Sequence, residues 1–437
     1  MNPVTAVILG AGSRGCSYAE YAKEYPRQLQ IVAIAEPRED RRNLLAQELN
    51  VPESKRFTSW QELLSKPKMA DCAFVCTLDD DHTEPAVRAM ELGYHLLLEK
   101  PMSNTEEECR AIVEAARKYG RKLAVCHVLR YTPFFRTVKE IIDSGKLGKI
   151  MSIIHAECVG DVHYSHSYVR GNWHNSQDSS NMLLAKSCHD IDILQWLIGA
   201  KCTKIQSFGR LSHFCKDNCP EGAPKRCLEG CPHEKTCAYS ARKIYLPETV
   251  DIWAGFLRSA ATGKVDPTDA EVEKALWDTN YGVCVFQSDN DVVDHQTVNM
   301  EFENGETVVF TMAAFNFSTR RIRIMGTKGE LSSEDMDNIT MNIFCVDDEN
   351  SPNYGKPATE YLKASEKVVI QEITGGHGGG DSGIVDDLCL YFGDNIRTKS
   401  ISDIRTSIMN HMTVFAAEQS RATNTVVDVD EFVEKYL

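Results

Sequence analysis

Three glycines near the N-terminus have the spacing of a dinucleotide-binding turn. Gly10, Gly12 and Gly15 form the pattern G-x-G-x-x-G between a short apolar run and a stretch with helical character. The first glycine permits a tight turn, the second lets the backbone approach a pyrophosphate, and the third lets the helix pack closely on the strand. Glu36 stands about 20 residues later, where a carboxylate would bind the ribose hydroxyls of adenosine. The pattern predicts NAD binding, with NADP as the second choice because Arg38 could meet a 2′-phosphate.

A second concentration of reactive side chains lies in the middle of the chain. Cysteines and histidines cluster between residues 213 and 240, among prolines and glycines that leave little regular structure. A loop without a core needs a staple, and thiolates around a tetrahedral ion supply one. We expect a structural zinc ion there, with a four-iron cluster as the second choice. The alternative is a set of unligated thiols or adventitious disulfides.

The elements that must position these groups follow from the spacing of the apolar runs. Over the first ~150 residues, short apolar runs alternate with helical stretches, as is typical of parallel strands covered on both faces. Later runs alternate polar and apolar residues, and Asn304–Gly305 between two of them predicts a hairpin. The sequence predicts an α/β protein: an N-terminal Rossmann doubly wound parallel sheet, then a C-terminal α+β domain with a large open, mainly antiparallel sheet. The predicted boundaries are 1–127 and 128–437, with a cysteine-rich insertion at 213–240.

Composition and charge exclude several classes of function. The chain has 437 residues and a net charge of −15, which is a poor match for nucleic-acid phosphates or an anionic membrane. No apolar run approaches the ~20 residues that cross a bilayer, and the first residues lack the basic segment of a signal peptide. We therefore expect a cytoplasmic protein with reduced thiols, whose partner is a small molecule rather than nucleic acid or membrane.

Further motifs resemble one known family. Glu99–Lys100–Pro101 directly follows the predicted strand Tyr94–Leu98. Supporting motifs are Val75–Cys76–Thr77 with His82, His127–Tyr131, His189 with Asp192, Ile324–Gly329 and Gly376–Asp381. With the N-terminal glycines, these make the chain similar to the glucose–fructose oxidoreductase / inositol dehydrogenase / MocA family over essentially its whole length.

The resemblance implies how the reacting groups are arranged. It places Lys100 at the substrate hydroxyl and the nicotinamide edge, where a lysine suits proton transfer. His189 would be the general base. Residues 183–198 read as one helix, on which Lys186 lies three residues before His189 and would hold a hydroxyl or lower the pKa of the histidine. The alternative is that Lys186 pairs with Asp190 at the surface and His189 is merely packed.

The expected ligand-binding residues form three sets. The cofactor set is Gly10, Gly12, Ser13, Arg14, Gly15, Glu36, Arg38, Thr77, His82, Glu99 and Lys100. The substrate set, drawn in part from a segment dense in aromatic and hydrogen-bonding groups that suits a polyol, is Arg130, Tyr131, His163, Tyr164, Trp173 and Asp192. The metal ligands, by resemblance to a cysteine insertion in part of the family, are Cys227, Cys231 and Cys237, with His213, Cys215 or Cys219 as the fourth.

The expected activity is an NAD(P)-dependent transfer of a hydride between nicotinamide and a secondary hydroxyl of a sugar, cyclitol or glycoside. One alternative is glycoside cleavage, in which a hydroxyl is oxidised transiently, a neighbouring glycosidic group is eliminated and the hydride is returned. A second alternative, of a different class, is a non-catalytic NAD-binding regulatory sensor. The resemblance also implies a homodimer or homotetramer formed through the C-terminal sheet.

Overall fold

The computed structural model describes residues 3–344, 349–351, 353–360, 364–370 and 376–437. Its first part is built on a six-stranded parallel sheet in the order β3-β2-β1-β4-β5-β6. The strands are β1 Val4–Leu9, β2 Leu29–Ala35, β3 Arg56–Phe57, β4 Cys72–Val75, β5 His95–Leu98 and β6 Leu123–Val125. The helices are α1 Ser13–Glu24, α2 Glu39–Glu48, α3 Trp60–Leu64, α4 Thr83–Glu91 and α5 Glu106–Tyr119.

The second part carries a nine-stranded sheet in the order β14-β13-β12-β11-β7-β10-β9-β8-β15. Its strands are β7 Ile150–Cys158, β8 Cys202–Arg210, β9 His295–Phe302, β10 Thr307–Ala313, β11 Thr319–Gly326, β12 Gly329–Ser333, β13 Asn338–Ile343, β14 Ala364–Val369 and β15 Val427–Asp428. The helices are α6 Pro133–Asp143, α7 Asp161–Tyr164, α8 Met182–Ala185, α9 Cys188–Ile198, α10 Ala241–Tyr245, α11 Ile252–Thr262, α12 Asp269–Asp278, α13 Gly380–Gly393, α14 Ile404–Thr423 and α15 Val429–Tyr436.

Pairing within the second sheet follows the alternation in the sequence. Its described strand pairs are antiparallel, except that β10 runs parallel to β7. The hairpin predicted at Asn304–Gly305 is confirmed: Phe302 N donates to Glu306 O at 2.9 Å, and Gly305 takes a positive φ of 87°. The predicted fold class, a Rossmann sheet followed by an α+β domain, is confirmed as well.

Helices from the end of the chain join the two sheets. The apolar face of α13, including Ile384 and Val385, packs in one core with β1 and α1 of the first sheet. Helix α14 lies between the sheets, against α5 on one side and β8 on the other. The two halves are therefore joined by buried apolar contacts. None of the helices within the described ranges combines the length and apolar character needed to span a bilayer.

One predicted element is wrong in a way that matters for the site. The stretch expected as a single helix over 183–198 is two helices, α8 and α9, with Lys186 and Ser187 between them. Ser187 takes φ −88° and ψ 6° at the N-cap position of α9, where its side chain makes no capping hydrogen bond. Because the helix ends at Ala185, its carbonyl is free to accept a bond from elsewhere.

Candidate active site

The glycine turn has the shape and the free donors that a dinucleotide requires. A Cβ on Gly10, whose φ is 99°, would lie 2.5 Å from Cys76 O, and one on Gly15 would lie 2.1 Å from Gly10 O. A Cβ on Gly12 would meet nothing within 4 Å, so this position faces open space. Helix α1 begins there without a side-chain cap and without an acidic residue in its first turn. Its amide groups are left to a bound anion, which fits a pyrophosphate.

Glu36 is fixed at the end of β2 by the turn itself. Its Oε2 accepts from Ala11 N at 2.9 Å and its Oε1 from Arg38 N at 3.0 Å. The Glu36 side chain is buried, whereas Arg38 is exposed. The carboxylate is therefore held in place beside the glycines.

Arg14 is engaged across the two halves of the molecule. Its Nε lies 2.7 Å from Glu99 Oε1, and its Nη2 lies 2.8 Å from Asp381 Oδ1 on α13. Burial alone would raise the pKa of Asp381, but the bonds from His377 and Arg14 hold the pKa below its usual range. Arg14 and Glu99, both expected at the cofactor, thus form an ion-pair bridge that ties α1 to β5 and α13. The motif 376–381 supplies its second carboxylate.

His82 supports the site from within the core. It has no exposed surface, its Nδ1 lies 2.7 Å from Pro101 O and its Nε2 lies 3.2 Å from Thr77 O. Thr77 Oγ1 donates to Asp81 O at 2.7 Å. The expectation that His82 contacts the cofactor directly stays a prediction, because the contacts of its ring nitrogens with backbone carbonyls do not test it. His82 ties the loop after β4 to Pro101, the residue after Lys100.

Lys100 meets groups from the second half of the chain. Its Nζ donates to Ala185 O at 2.7 Å, the carbonyl released where α8 ends. The same Nζ lies 5.9 Å from the ring centre of Trp173, whose Nε1 donates to Asp79 Oδ2 at 2.7 Å. Lys100 and Trp173, predicted separately, are therefore neighbours.

His189 lies in the same neighbourhood. Its ring packs edge-on against His127 at 6.0 Å, and its Nδ1 is buried with no hydrogen-bond partner in the described part of the chain. Burial, then the positive charge of Lys100, then His127 lower the pKa of His189 well below its ordinary value. A neutral imidazole with a free nitrogen can accept a proton at neutral pH.

Lys186 takes neither of the two expected arrangements. Because α8 ends before it, Lys186 and His189 do not share a helix face. Its Nζ lies 3.5 Å from Glu157 Oε1, and not beside Asp190. Burial is the main cause that lowers the pKa of Lys186, opposed by Glu157. Lys186 is therefore a buried cation paired with Glu157, a carboxylate that the sequence analysis did not predict at the site.

That carboxylate belongs to a group we name the junction cluster: Glu157, Lys186, Asp190, His155 and Arg320. Arg320 Nη2 lies 2.5 Å from Glu157 Oε2, and Arg320 Nε lies 2.7 Å from Asp190 Oδ1. His155 Nε2 lies 2.8 Å from the same Asp190 oxygen. Burial would raise the pKa of Asp190, but Arg320 and the bond to His155 lower it to about 2. Asp190 is therefore ionised at neutral pH.

Sequence reasoning missed most of this cluster, although one signal was present. Glu157 interrupts the apolar end of β7 beside Cys158, and it is buried. A charged side chain at a buried strand end is a candidate for a site. Its partner Arg320 comes from β11, far along the chain, so that only the sheet order brings them together.

Several residues expected at the substrate have structural roles. Arg130 Nε and Nη2 donate to the two oxygens of Asp192 at 2.5 and 2.7 Å, and both side chains are buried. Tyr131 and Tyr164 are buried, with their hydroxyls bonded to Ser402 and to the carbonyls of Val292 and Val293. These bonds give all four side chains structural roles, because polar atoms buried in a core must find partners there, and contact with the substrate stays a prediction for each of them.

His163 and Trp173 remain at the site. His163 is partly exposed. Burial, with the nearby charge of Lys186 as the next cause, lowers the pKa of His163 to about 2. A neutral histidine and a partly buried tryptophan therefore stand beside the lysines of the cleft.

The expected metal centre does not form in the described residues. The stretch 213–240 lies wholly within them, and no three histidine, cysteine or acidic side chains there or elsewhere in that part gather as metal ligands do. All five expected cysteines are free thiols, and Cys227, Cys231 and Cys237 line one small cavity of about 20 Å³. The segment is held to α12 and the residue after it by hydrogen bonds to backbone carbonyls: Arg226 Nη1 donates to Leu276 O and Thr279 O, each at 2.8 Å. The metal ion was expected because a loop without a core needs something to hold it, and these hydrogen bonds hold it instead.

Comparison with known proteins agrees with this geometry. The family model for an oxidoreductase family with an NAD-binding Rossmann fold matches residues 4–127, and the model for its C-terminal alpha/beta domain matches residues 139–429. Oxidoreductase YteT of Bacillus subtilis is 26% identical over 335 residues, covering 75% of this chain and 73% of that protein.

One further relative and one solved structure of similar fold extend the comparison. scyllo-Inositol 2-dehydrogenase (NAD(+)) of Bacillus subtilis is 25% identical over 212 residues, which span 48% of this chain and 58% of that enzyme. The crystal structure of an oxidoreductase from Agrobacterium radiobacter in complex with NAD+, L-tartaric acid and magnesium has a TM-score of 0.66 at 13% identity, covering 98% of this chain and 99% of that one. From the two matching domain models, the chain belongs to the glucose–fructose oxidoreductase / inositol dehydrogenase / MocA family of NAD-binding oxidoreductases.

Proposed function

We propose that the protein oxidises a secondary hydroxyl of a sugar, cyclitol or glycoside with NAD, or catalyses the reverse reduction. The observation that carries the proposal is the convergence of Lys100, Trp173 and the Ala185 carbonyl at the carboxyl edge of the first sheet. Ligands of doubly wound sheets bind at this edge. The names of relatives support a sugar-like substrate, since they include inositol 2-dehydrogenase and 1,5-anhydro-D-fructose reductase.

In this proposal the chain binds and orients while a proton is moved. The nicotinamide cofactor supplies the hydride acceptor when bound. Gly12 and the first amides of α1 hold its pyrophosphate, and Glu36 binds its adenosine ribose. His189 accepts the hydroxyl proton, and the Lys100 ammonium group stabilises the oxygen as the proton leaves.

The test is a panel of polyols, sugars and glycosides followed by two readouts at once. NADH absorbance measures net oxidation, and release of the glycosidic group measures cleavage. Oxidation without release supports the dehydrogenase. Release without accumulated NADH identifies the transient oxidation and elimination route instead. Neither signal over a broad panel, combined with tight NAD binding, would identify a sensor and overturn the proposal.

Cofactor choice is a separate part of the proposal. We propose NAD over NADP, because the fixed carboxylate of Glu36 repels a 2′-phosphate. Titration should give at least about tenfold tighter binding of NAD, since opposed like charges cost several kcal/mol. Glu36→Ser should reduce the difference in affinity between NAD and NADP. Glu39→Ser, at the exposed start of α2, is the matched control. Tighter NADP binding by the unmodified protein would mean that Arg38 decides the choice.

We also propose a homodimer or homotetramer built on the second sheet. Its strands expose apolar side chains at Met151, Ile154, Phe208 and Val309. Large apolar side chains grouped on one face of a sheet are typical of subunit contacts. Light scattering should give a mass of two or four chains, and Phe208→Lys should lower it. A monomer at micromolar concentration would contradict this proposal.

A further inference from the structure

Helix α11 presents two aromatic rings to solvent. Trp253 is 44% exposed and Phe256 is 42% exposed, and their rings stack with centroids 5.4 Å apart and planes 14° apart. The opposite face of the helix is anchored, because Leu257 and Arg258 are buried. Aromatic surface of this kind is costly to leave in water, so that a ring pair held in place on a rigid helix is a candidate binding face.

The ring pair is continuous with the candidate active site. Trp253 packs edge-on against His163 at 5.6 Å, and His163 lies 6.2 Å from the ring of Tyr168. Tyr168 in turn lies 6.1 Å from Trp173, which is 5.9 Å from Lys100 Nζ. An aromatic wall therefore runs from Lys100 out to the surface of α11, with the partly exposed rings of Trp173, His163 and Trp253 backed by the buried ring of Tyr168.

The chemistry of this wall suits a carbohydrate. The apolar faces of sugar rings pack on aromatic rings, while polar groups bind the hydroxyls at the edges. Lys100, His163 and Lys186 provide polar groups at the inner end, whereas the outer end offers flat apolar surface. The inner end fits the ring that is oxidised, and the outer end fits a second ring beyond it.

We propose that Trp253 and Phe256 form a subsite for a second sugar ring, joined by a glycosidic bond to the ring that reacts at Lys100. This inference rests on the proposed sugar oxidation and narrows its substrate class to disaccharides and longer glycosides. The helical segment that carries the subsite follows the cysteine-rich stretch and packs as a small core of its own around Tyr245 and Leu257. This helical segment would thus select for substrate length.

The experiment compares disaccharides with the methyl glycosides of their reacting ring, using the full chain with NAD. The disaccharide with the highest kcat/KM should exceed the methyl glycoside of the same reacting ring by about tenfold in kcat/KM. A tenfold difference corresponds to one good stacking contact. Trp253→Ala should abolish this advantage and leave the methyl glycoside within about twofold. Trp277→Ala is the matched control, because Trp277 is equally exposed at 44% but belongs to α12.

Equilibrium dialysis of the same disaccharide keeps the inference testable apart from turnover. Binding that weakens in Trp253→Ala but not in Trp277→Ala supports the subsite even if oxidation is not observed, in which case only the proposed function fails. Equal kcat/KM for disaccharide and methyl glycoside in the unmodified protein would overturn the subsite. So would an equal loss for both substrates in Trp253→Ala. A lowered mass in light scattering, without a change in selectivity, would make the face a subunit contact and overturn it too.

Discussion

The junction cluster and the cysteine-rich stretch both gather polar side chains, but they stabilise them by opposite means. In the junction cluster, Arg320 bridges two buried carboxylates, Glu157 and Asp190, so that charge is balanced by charge. In the cysteine-rich stretch, Arg226 donates to two backbone carbonyls, and Cys227 N donates to Gly282 O at 2.9 Å. There the stretch is held by hydrogen bonds to uncharged groups, and these include the thiols: Cys227 Sγ accepts from Arg170 Nη2 at 3.5 Å.

This difference teaches where chemistry can be expected. Neighbouring ionic groups shift one another's pKa, as Lys100 lowers the pKa of His189. Acid–base catalysis depends on such shifts. A cluster of reactive residue types in the sequence is thus weaker evidence for a catalytic site than a buried charged side chain whose partners come from distant strands.

The largest effect should come from the lysine at the cleft. Lys100→Met removes the cation beside the reacting oxygen and should lower turnover by roughly 10²–10⁴-fold, the usual range for an acid–base group. NAD binding, measured by fluorescence titration, should change little. Lys100→Arg keeps the charge but cannot give up a proton, so that it separates the two roles: recovery in this variant would assign Lys100 to electrostatics alone. Near-normal turnover of Lys100→Met would remove it from the mechanism.

His189 should define the acid limb of the activity. Its pKa is lowered below the ordinary 6.5, so the imidazole is neutral at pH 7 and becomes protonated only well below that value. The oxidation rate should therefore rise with pH in the acid range and be flat near neutrality. His189→Ala should abolish the limb and cost about 10²-fold in turnover. His295→Ala, at an exposed position, is the control.

Two further variants locate the cause of that limb. Lys100→Arg should keep it, since the neighbouring charge is kept, whereas Lys100→Met should move it to higher pH. Lys186→Ala should leave it in place, because burial, Lys100 and His127 are the leading causes of the shift and Lys186 faces Glu157. If the limb survives in His189→Ala, the base is another group and His189 only binds substrate or packs.

The junction cluster should also be the more fragile of the two regions. Arg320→Met removes the guanidinium shared by two buried carboxylates, leaving Glu157 with Lys186 and Asp190 with His155. It should lower the free energy of unfolding by about 3–5 kcal/mol. The neighbouring Arg321 pairs with Glu334 at an exposed site, so Arg321→Met should cost at most about 1 kcal/mol. Urea unfolding of both variants gives the comparison. Equal losses would mean that the cluster does not depend on its charges.

Much of the fold and part of the site could be read from local sequence. The glycine turn, Glu36 and Lys100 follow directly from strand ends in a doubly wound sheet, because loop chemistry there is set by adjacent residues. The break between α8 and α9 and the pair Glu157–Arg320 could not be read in this way. They depend on which strand lies beside β7, a long-range fact that periodicity does not contain.

The smallest effects should come from the cysteine-rich stretch. Cys231 lines the small cavity and is a free thiol, so Cys231→Ser should change the free energy of unfolding by no more than about 0.5 kcal/mol. Treatment with a strong chelator should leave the melting temperature unchanged. Arg226→Met is the informative partner: it removes the donor to Leu276 O and Thr279 O and should cost about 1–3 kcal/mol, since buried carbonyls are left without partners. If metal analysis instead finds one zinc per chain and the chelator lowers the melting temperature, then thiolates stabilise this stretch. The two regions would then both be held by side-chain charge, and the contrast drawn between them would fail.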